Sequence, residues 1–308
     1  MAKFAKPAKQ AASVMKSLQG THIRSVGTVR NYEQCLVRIT TYLQEHRLGS
    51  LREVTPARAL EYLQQRATFV GQKTLDMERQ ALQAMMQHVT HQLPPGQTLE
   101  VIRSTATSRM GTTNHPTLGR RLADQARAYN REQMTLIAAR QAPHNALATE
   151  IAHAAGLRAH ELLGLRRTHQ RVPDQRPAHG MKFSGIREMT ISYTVHGKGG
   201  LIREVRIPIP LAQRLERTRL AEPRIVKDRG INYQQFYGIG GGQPWSKSVS
   251  AASKGALGWS NGAHGLRHTY AQERMATLQR HLTRKQALAV VSQEMGHFRP
   301  EITEVYLR

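Results

Sequence analysis

The sequence has very little cysteine: Cys35 is the single one among 308 residues. An internal disulfide and a cluster of thiolate ligands are therefore both excluded, and a reducing, cytoplasmic setting is expected. The chain also lacks long apolar runs. None approaches the ~18 consecutive apolar residues that a membrane-spanning helix requires. The sequence thus predicts a protein that does not cross a membrane.

Acidic residues are scarce as well. The chain has 21 Asp and Glu against 45 Lys and Arg, which gives a formal net charge of +24. Most of this excess lies in residues 151–308. A protein this cationic favours a polyanionic partner, and nucleic acid is the natural choice because each neutralised phosphate releases counterions. Charge alone leaves ribosomal proteins, RNA-binding proteins and proteins of anionic membrane surfaces as alternatives.

The first hundred residues predict a basic arm followed by a helical domain. Residues 1–20 contain four lysines and no acid, which favours a flexible basic arm, with an organelle transit peptide as the alternative. Over 21–105, three segments place apolar residues at helical spacing. The second of these begins with Thr55 as its expected N-cap and Pro56 at its first helical position.

The rest of the chain predicts a linker and a mixed domain. Residues 106–120 are rich in Ser, Thr, Gly and Pro and predict a linker. Over 121–308 we expect helices at 120–142, 146–166 and 210–222, and further helices near the C-terminal end. The alternating segments 187–195 and 201–209 predict a β-hairpin around the turn "HGKGG". The fold class expected is mainly α with a small antiparallel β-sheet.

Three motifs superficially suggest cofactors. "GIGGGQP" and "HGKGG" contain glycines, but neither has the spacing of a phosphate-binding loop. His264 and His268 are four residues apart, as in zinc-binding helices, but the adjacent glutamate of such helices is missing. We therefore predict neither a metal nor another cofactor.

Four separated segments carry the remaining candidates. Arg158 and Glu161 occur in "AAGLRAHELLGLR", where an ordinary salt bridge within one helix is the simplest interpretation. Lys198 occupies the tip of the predicted hairpin, where a lysine is usually only solvated. His264 and Arg267 lie one helical turn apart in "HGLRH". His297 precedes Tyr306 in "GHFRPEITEVYL". Each segment alone is a weak signal.

Together, the order and spacing of these segments resemble the tyrosine recombinases, or phage-type integrases. The family pattern has an Arg in G-L-R-x-x-E-L-L-x-L, a Lys in a hairpin turn, H-x-x-R, a later His or Trp, and a Tyr near the end. The matching residues here are Arg158, Lys198, His264, Arg267, His297 and Tyr306. The resemblance covers nearly the whole chain and implies an N-terminal helical core-binding domain at 21–105 and a mixed α+β catalytic domain at 121–308.

The resemblance implies a reaction that suits these residue types. Two guanidiniums can hold the non-bridging oxygens of a phosphodiester as negative charge develops on them. In the family, the tyrosine is the nucleophile and forms a 3′-phosphotyrosine, and the hairpin lysine protonates the departing 5′ oxygen. A free tyrosine, with a pKa of about 10, needs cationic neighbours and a base such as His264. Glu161 is expected to orient Arg158 or a neighbouring helix and not to touch the phosphate.

The resemblance also implies the partners. We expect double-stranded DNA, a homotetramer on two DNA sites, accessory DNA-bending proteins, and a cytoplasmic, nucleoid-associated location. Only Leu307 and Arg308 follow Tyr306, so the exchange of a C-terminal tail that couples subunits in many relatives is not expected. Two alternatives stay open: a strand passer that resembles type IB topoisomerases, and a non-catalytic DNA-binding relative.

Overall fold

The computed structural model describes residues 4–23, 26–106, 127–176 and 179–307. The chain divides into two compact units, residues 1–120 and 121–308. Within the described ranges, no helix is long and apolar enough to cross a membrane.

The first unit is helical. Its helices are α1 (Pro7–Leu18), α2 (Val26–Glu45), α3 (Pro56–Ala67) and α4 (Gln72–His88). The predicted cap of α3 is confirmed, since the Thr55 side chain accepts a hydrogen bond from the amide of Arg58. Leu36, Leu63 and Leu82 are among the buried side chains of its core.

The expectation of a flexible arm over residues 1–20 is wrong for residues 7–18. These residues form α1, and Ala11, Val14, Met15 and Leu18 along one of its faces are buried. Spacings of three and four residues place those side chains on one side of a helix, where they join the core of the first unit. The lysines favour an arm, but the apolar stripe between them decides the structure.

Most of the predicted linker, and the start of the helix predicted at 120–142, fall in residues 107–126, outside the described residues. The residues just before position 107 are hydrogen-bonded to the end of α3 and the turn that follows it. The hydroxyl of Ser104 donates to the carbonyl of Val70 at 2.6 Å, and the amide of Thr105 donates to the carbonyl of Ala67.

The second unit is built from helices around two cores. The helices are α5 (Arg131–Ala139), α6 (Pro143–Ala155), α7 (Ile209–Glu216), α8 (Gly242–Leu257), α9 (His264–Leu278), α10 (Arg284–Glu294) and α11 (Glu301–Glu304). One buried cluster includes Ile151, Tyr193 and Trp245. Another includes Met275 and Val291, and Tyr306 belongs to it.

Two small antiparallel sheets complete this unit. The first has the order β1 (Arg166–Arg167), β2 (Thr190–His196), β3 (Ile202–Pro208), with Tyr193 opposite Val205. The predicted hairpin is therefore confirmed. The second is a ribbon of β4 (Arg219–Asp228) and β5 (Ile231–Tyr237). A mainly helical fold with small antiparallel sheets agrees with the expected class.

One predicted helix of this unit has the wrong end, and two elements were not predicted. The helix predicted at 210–222 ends at Glu216, and its last residues belong to β4. The ribbon was missed because most of the side chains of β4 are exposed, so the strand lacks the alternation that marks a half-buried one. Helix α8 was missed because it begins within the glycines of "GIGGGQP".

Candidate active site

Arg158 lies in a turn and not in a helix, contrary to the helix predicted over 146–166. Helix α6 ends at Ala155 because Gly156 has a left-handed φ of 59°. A Cβ on Gly156 would lie 2.6 Å from a ring carbon of Tyr270, so this position requires glycine. After a turn, Glu161–Gly164 forms a single 3₁₀ segment. The ion pair between Arg158 and Glu161 exists, but it spans this turn.

The carboxylate of Glu161 accepts hydrogen bonds from two groups of Arg158. The backbone amide of Arg158 donates to Oε2 at 2.8 Å, and Nη1 donates to Oε1 at 2.8 Å. Nη2 of Arg203, from β3, binds the same carboxylate at 2.7 Å. Burial alone would raise the pKa of Glu161, but Arg203, Arg267 and Arg158 outweigh it and hold the pKa far below its usual range. Glu161 is therefore ionised although it is fully buried.

Arg267 on α9 is also fully buried. Its Nη1 donates to the carbonyl of Gly156 and its Nη2 to the carbonyl of Met295, while Nε has no hydrogen-bond partner. Burial, assisted by repulsion from Arg158, lowers the pKa of Arg267 to about 10. The guanidinium therefore remains charged at neutral pH. A buried N–H without an acceptor is costly, which suits a side chain that awaits an anion.

His297 is held in one tautomer by its partners. Its Nε2 lies 3.2 Å from Nη2 of Arg267. Because a guanidinium can only donate, Nε2 accepts, and the proton resides on Nδ1. Nδ1 then donates to the hydroxyl of Thr303 at 2.7 Å, which in turn lies 2.6 Å from the hydroxyl of Ser292. Burial and the charge of Arg267 lower the pKa of His297 to about 3, so the ring is neutral.

The phenol of Tyr306 meets His264. Tyr306 lies in the 3₁₀ turn Val305–Leu307, and its hydroxyl is 3.1 Å from Nε2 of His264. Partial desolvation of the ring, together with the charge of Arg267, lowers the pKa of His264 to about 4. A neutral imidazole at this distance can accept the phenolic proton.

The backbone and ring of Tyr306 are also fixed. Nδ1 of His268, one helical turn after His264, lies 3.2 Å from the carbonyl oxygen of Tyr306. The ring of His297 stacks on the ring of Tyr306 with centroids 5.3 Å apart, and Cζ of Arg267 lies 5.5 Å from the same centroid. Tyr306 is 8% exposed, so most of its side chain is packed against its neighbours.

Lys198 is part of the turn between β2 and β3, and its side chain lies outside the described part of the structure. The turn closes through the amide of Gly197, which donates to the carbonyl of Leu201 at 2.6 Å. A Cβ built on Gly197 would lie 3.7 Å from Oε1 of Glu161. The backbone beside Lys198 therefore adjoins the carboxylate that holds Arg158.

The tertiary structure thus gathers five of the six predicted side chains from three separate regions of the chain. Arg267 donates to the carbonyl of Gly156, two residues before Arg158, and it contacts His297 and Tyr306 directly. The guanidiniums of Arg158 and Arg203 bind the carboxylate of Glu161, and the charge of Arg267 also lowers the pKa of that carboxylate. The cluster is therefore positively charged and fits an anion.

Sequence reasoning missed two residues of this cluster. Arg203 shares the strand phase of Val205 and Ile207, whose side chains are buried, and this signal for an inward-facing arginine was present in the sequence. His268 was considered as a metal ligand only. Within the described ranges, no group of three or more His, Cys, Asp or Glu is placed to hold a metal ion, and His268 instead contacts the backbone of Tyr306.

Several solved structures of DNA-bound recombinases are similar to this chain. The XerH site-specific recombinase bound to palindromic difH substrate in a post-cleavage complex has a TM-score of 0.56 and 14% identity, and the match covers 100% of this chain and 94% of XerH. The Tn1549 transposon integrase in complex with transposon right end DNA has a TM-score of 0.52 and 15% identity, covering 99% and 95% of the two chains. A lambda integrase dimer bound to a COC′ core site has a TM-score of 0.52 and 14% identity, covering 97% and 94%.

Neither a scan against protein-family models nor a search of curated proteins gives a match. These three proteins are tyrosine recombinases, and their similarity extends over both units of this chain. The chain therefore has the tyrosine recombinase fold.

Proposed function

We propose that this protein is a site-specific DNA recombinase of the integrase type, which cuts and rejoins DNA through a 3′-phosphotyrosine intermediate. The observation that carries the proposal is the contact between the Tyr306 hydroxyl and Nε2 of His264 at 3.1 Å, beside the buried guanidinium of Arg267. A phenol that faces a neutral imidazole within a cationic pocket is arranged for nucleophilic attack on a phosphate.

In the proposed reaction, His264 accepts the proton of Tyr306 as the phenolic oxygen attacks the scissile phosphorus. Arg158 and Arg267 offset the charge on the non-bridging oxygens of the pentacovalent transition state. The bond from phosphorus to the 5′ oxygen breaks, and Lys198 donates a proton to that oxygen. The products are a 3′-phosphotyrosine and a free 5′ hydroxyl. Attack by the 5′ hydroxyl of a second strand reverses these steps and releases the tyrosine.

Without DNA, His264 is neutral and the arginines are charged. These states support the roles of His264 as a base and of the arginines as stabilisers of negative charge. When a phosphate enters, its negative charge counteracts the repulsion that Arg267 exerts on protonated His264. The pKa of His264 should therefore rise when the substrate binds, which makes the imidazole a better base at the time of reaction. His297 accepts from Arg267 in the free protein, and in this arrangement it orients that guanidinium.

The proposed partners follow from the charge and the fold. The net charge of +24 favours a polyanion, and the similar structures include a lambda integrase tetramer bound to a Holliday junction. We propose that residues 21–105 and 121–308 both bind duplex DNA and that four protomers act on two DNA sites. Accessory DNA-bending proteins and a nucleoid-associated, cytoplasmic location belong to the same proposal.

A suicide substrate tests the function. Such a duplex carries a nick near the cleavage position, so cleavage releases a short fragment that bears the free 5′ hydroxyl. Because this fragment diffuses away, the reverse reaction is prevented and the covalent intermediate accumulates. We expect the unaltered protein to form an adduct that survives denaturation and Tyr306→Phe to form none while retaining DNA binding. Tyr233→Phe is the matched control because it removes the same atom from a half-buried tyrosine on β5, and it should form the adduct normally.

The alternatives give different results. DNA binding without an adduct from the unaltered protein would indicate a non-catalytic binder. Relaxation of supercoiled DNA that has no partner site, without strand exchange between two sites, would indicate a strand passer. An adduct that persists in Tyr306→Phe would show that the nucleophile is another residue.

A further inference from the structure

Arg203 is the second partner of Glu161, and its side chain is almost completely buried at 3% exposure. It lies on β3 in phase with Val205 and Ile207, so the alternation of the strand directs it inward. Its Nη2 binds Oε2 of Glu161 at 2.7 Å, and its Nη1 donates to the carbonyl of Glu294 at 2.6 Å. The side chain therefore joins the hairpin that carries Lys198 to the end of α10.

The contact with α10 extends to the residue before His297. A Cβ on Gly296 would lie 2.6 Å from Cδ of Arg203, so Gly296 packs directly against the arginine stem. Gly296 has a left-handed φ of 71°, which also requires glycine. Arg203 and Arg267 thus bind neighbouring carbonyls, those of Glu294 and Met295. The chain leading to His297 is held between two guanidiniums.

The positive charge of Arg203 also affects how strongly Arg158 attracts an anion. In the described structure, Glu161 is the carboxylate that pairs with Arg203, and it also pairs with Arg158. A carboxylate shared by two guanidiniums leaves a net positive charge on the group. If Arg203 were neutral, the carboxylate of Glu161 would offset more of the positive charge of Arg158, and Arg158 would attract a phosphate more weakly.

We propose that Arg203 is a positioning residue for the cleavage step, acting through Glu161 on Arg158 and through the Glu294 carbonyl on the segment before His297. This inference rests on the proposed function, since it concerns the efficiency of the same site. Arg203 itself makes no contact with the scissile phosphate. By sharing the carboxylate, it keeps the guanidinium of Arg158 in place and available to an anion.

The primary test measures cleavage by Arg203→Gln on two substrates. On ordinary DNA, the rate of adduct formation should fall about 10- to 100-fold, as expected for a small displacement of a group at the reacting centre, while DNA affinity is unchanged. On a substrate with a 5′-bridging phosphorothiolate, the sulfur leaves without protonation. The rate of Arg203→Gln should stay low on this substrate, because the defect lies at Arg158 and not at Lys198. Recovery with sulfur would overturn the assignment.

A double-mutant cycle separates positioning from general structural damage. If Arg203 acts through Glu161, then Arg203→Gln should lower the rate much less in a Glu161→Gln background than in the unaltered protein. Equal losses in both backgrounds would contradict the proposal. Arg203→Lys retains the charge but not the two-pronged geometry, and it should recover part of the rate. If Arg203→Gln does not fold, Arg203→Lys carries the test on both substrates.

Two controls complete the experiment. Arg206→Gln removes a guanidinium from the opposite face of the same strand, where the side chain pairs with Glu204, and it should leave the cleavage rate unchanged. Melting temperatures are measured for every variant, and a rate loss that simply follows the loss of thermal stability would overturn the proposal. If the unaltered protein forms no adduct, the proposed function itself fails and this inference fails with it. Normal cleavage by Arg203→Gln would refute the inference alone.

Discussion

The phenolic oxygen of Tyr306 lies 3.1 Å from Nε2 of His264. The two residues belong to different elements, the last 3₁₀ turn and the first turn of α9, and they are brought together by the packing of these elements around one buried cluster. His268, four residues after His264, binds the carbonyl of Tyr306. One face of α9 therefore holds both ends of the tyrosine.

This contact predicts a role for His264 as the base. His264→Ala should slow adduct formation by about 10²- to 10⁴-fold, the range of a lost general base. The deficit should shrink as the pH rises, because hydroxide in solution replaces the imidazole. Cleavage rates of both proteins between pH 6 and pH 9 test this. A deficit that is the same at every pH would assign His264 to another role.

A further prediction concerns metals. Cleavage by the unaltered protein should continue in excess EDTA, because guanidiniums supply the positive charge that a metal ion would otherwise provide. The measurement is the rate of adduct formation before and after chelation. Loss of cleavage that is restored by added Mg²⁺ or Zn²⁺ would contradict the mechanism.

The separate proposed roles of Lys198, as general acid, and of the arginines, as stabilisers of charge on the phosphate, give a third prediction. Lys198→Ala should slow cleavage of ordinary DNA by about 10²-fold or more, as expected for a missing general acid. A 5′-bridging phosphorothiolate should restore most of its rate. Arg158→Ala and Arg267→Ala should not recover, because the charge on the non-bridging oxygens must be offset whichever group leaves. Equal recovery of all three variants would show that the roles are wrongly divided.

The lowered pKa values of two histidines in the site predict a loss of stability in acid. The pKa values of His297 and His264 are lowered to about 3 and about 4 in the folded protein. Because these values lie below the ordinary 6.5, the stabilising contribution is fully present above pH 6.5 and is lost as the pH falls towards the folded values. The free energy of unfolding should therefore decline between pH 6.5 and pH 4.5.

Glu161 does not account for this decline, because a carboxyl with a lowered pKa contributes at every pH above its ordinary value of about 4.3. Urea unfolding at several pH values measures the slope. The double variant His264→Asn/His297→Asn should show a shallower slope than the unaltered protein. An unchanged slope would mean that other groups titrate in this range.

The first unit contains a buried carboxylate whose loss should destabilise it. Glu78 is fully buried and accepts hydrogen bonds from Arg66, Arg38 and Tyr62. Glu78→Ala leaves these donors without their shared acceptor and should lower the free energy of unfolding by about 3–5 kcal/mol. Tyr62→Phe removes one hydrogen bond and should cost about 1 kcal/mol.

The two tryptophans allow the units to be followed separately. Trp245 and Trp259 both belong to the second unit, so tryptophan fluorescence reports on that unit, while circular dichroism reports on both. Glu78→Ala should shift the dichroism transition and leave the fluorescence transition in place. A shift of the fluorescence transition alone would contradict the prediction.

Much of the local structure could be predicted from sequence. Apolar periodicity located α2, α3, α4, α9 and α10, and Thr55 and Pro56 marked the start of α3. The hairpin of β2 and β3 was predicted because alternation and a glycine turn are both local signals. These features depend on neighbours along the chain, and so the chain itself encodes them. The six candidate site residues were likewise chosen by order and spacing, and their catalytic roles remain predictions.

Tertiary structure alone decided how the site is built. Arg158, the segment with His264 and Arg267, and the segment with His297 and Tyr306 are far apart in sequence. Only packing shows that Arg267 contacts His297 and that His264 contacts Tyr306. The ring of Tyr270, on a different helix, requires glycine at 156 and so ends α6 just before Arg158. Glu161 pairs with Arg203 across the fold. Local sequence can set the period and ends of an element, but the partners of a buried charge depend on which elements are packed against it.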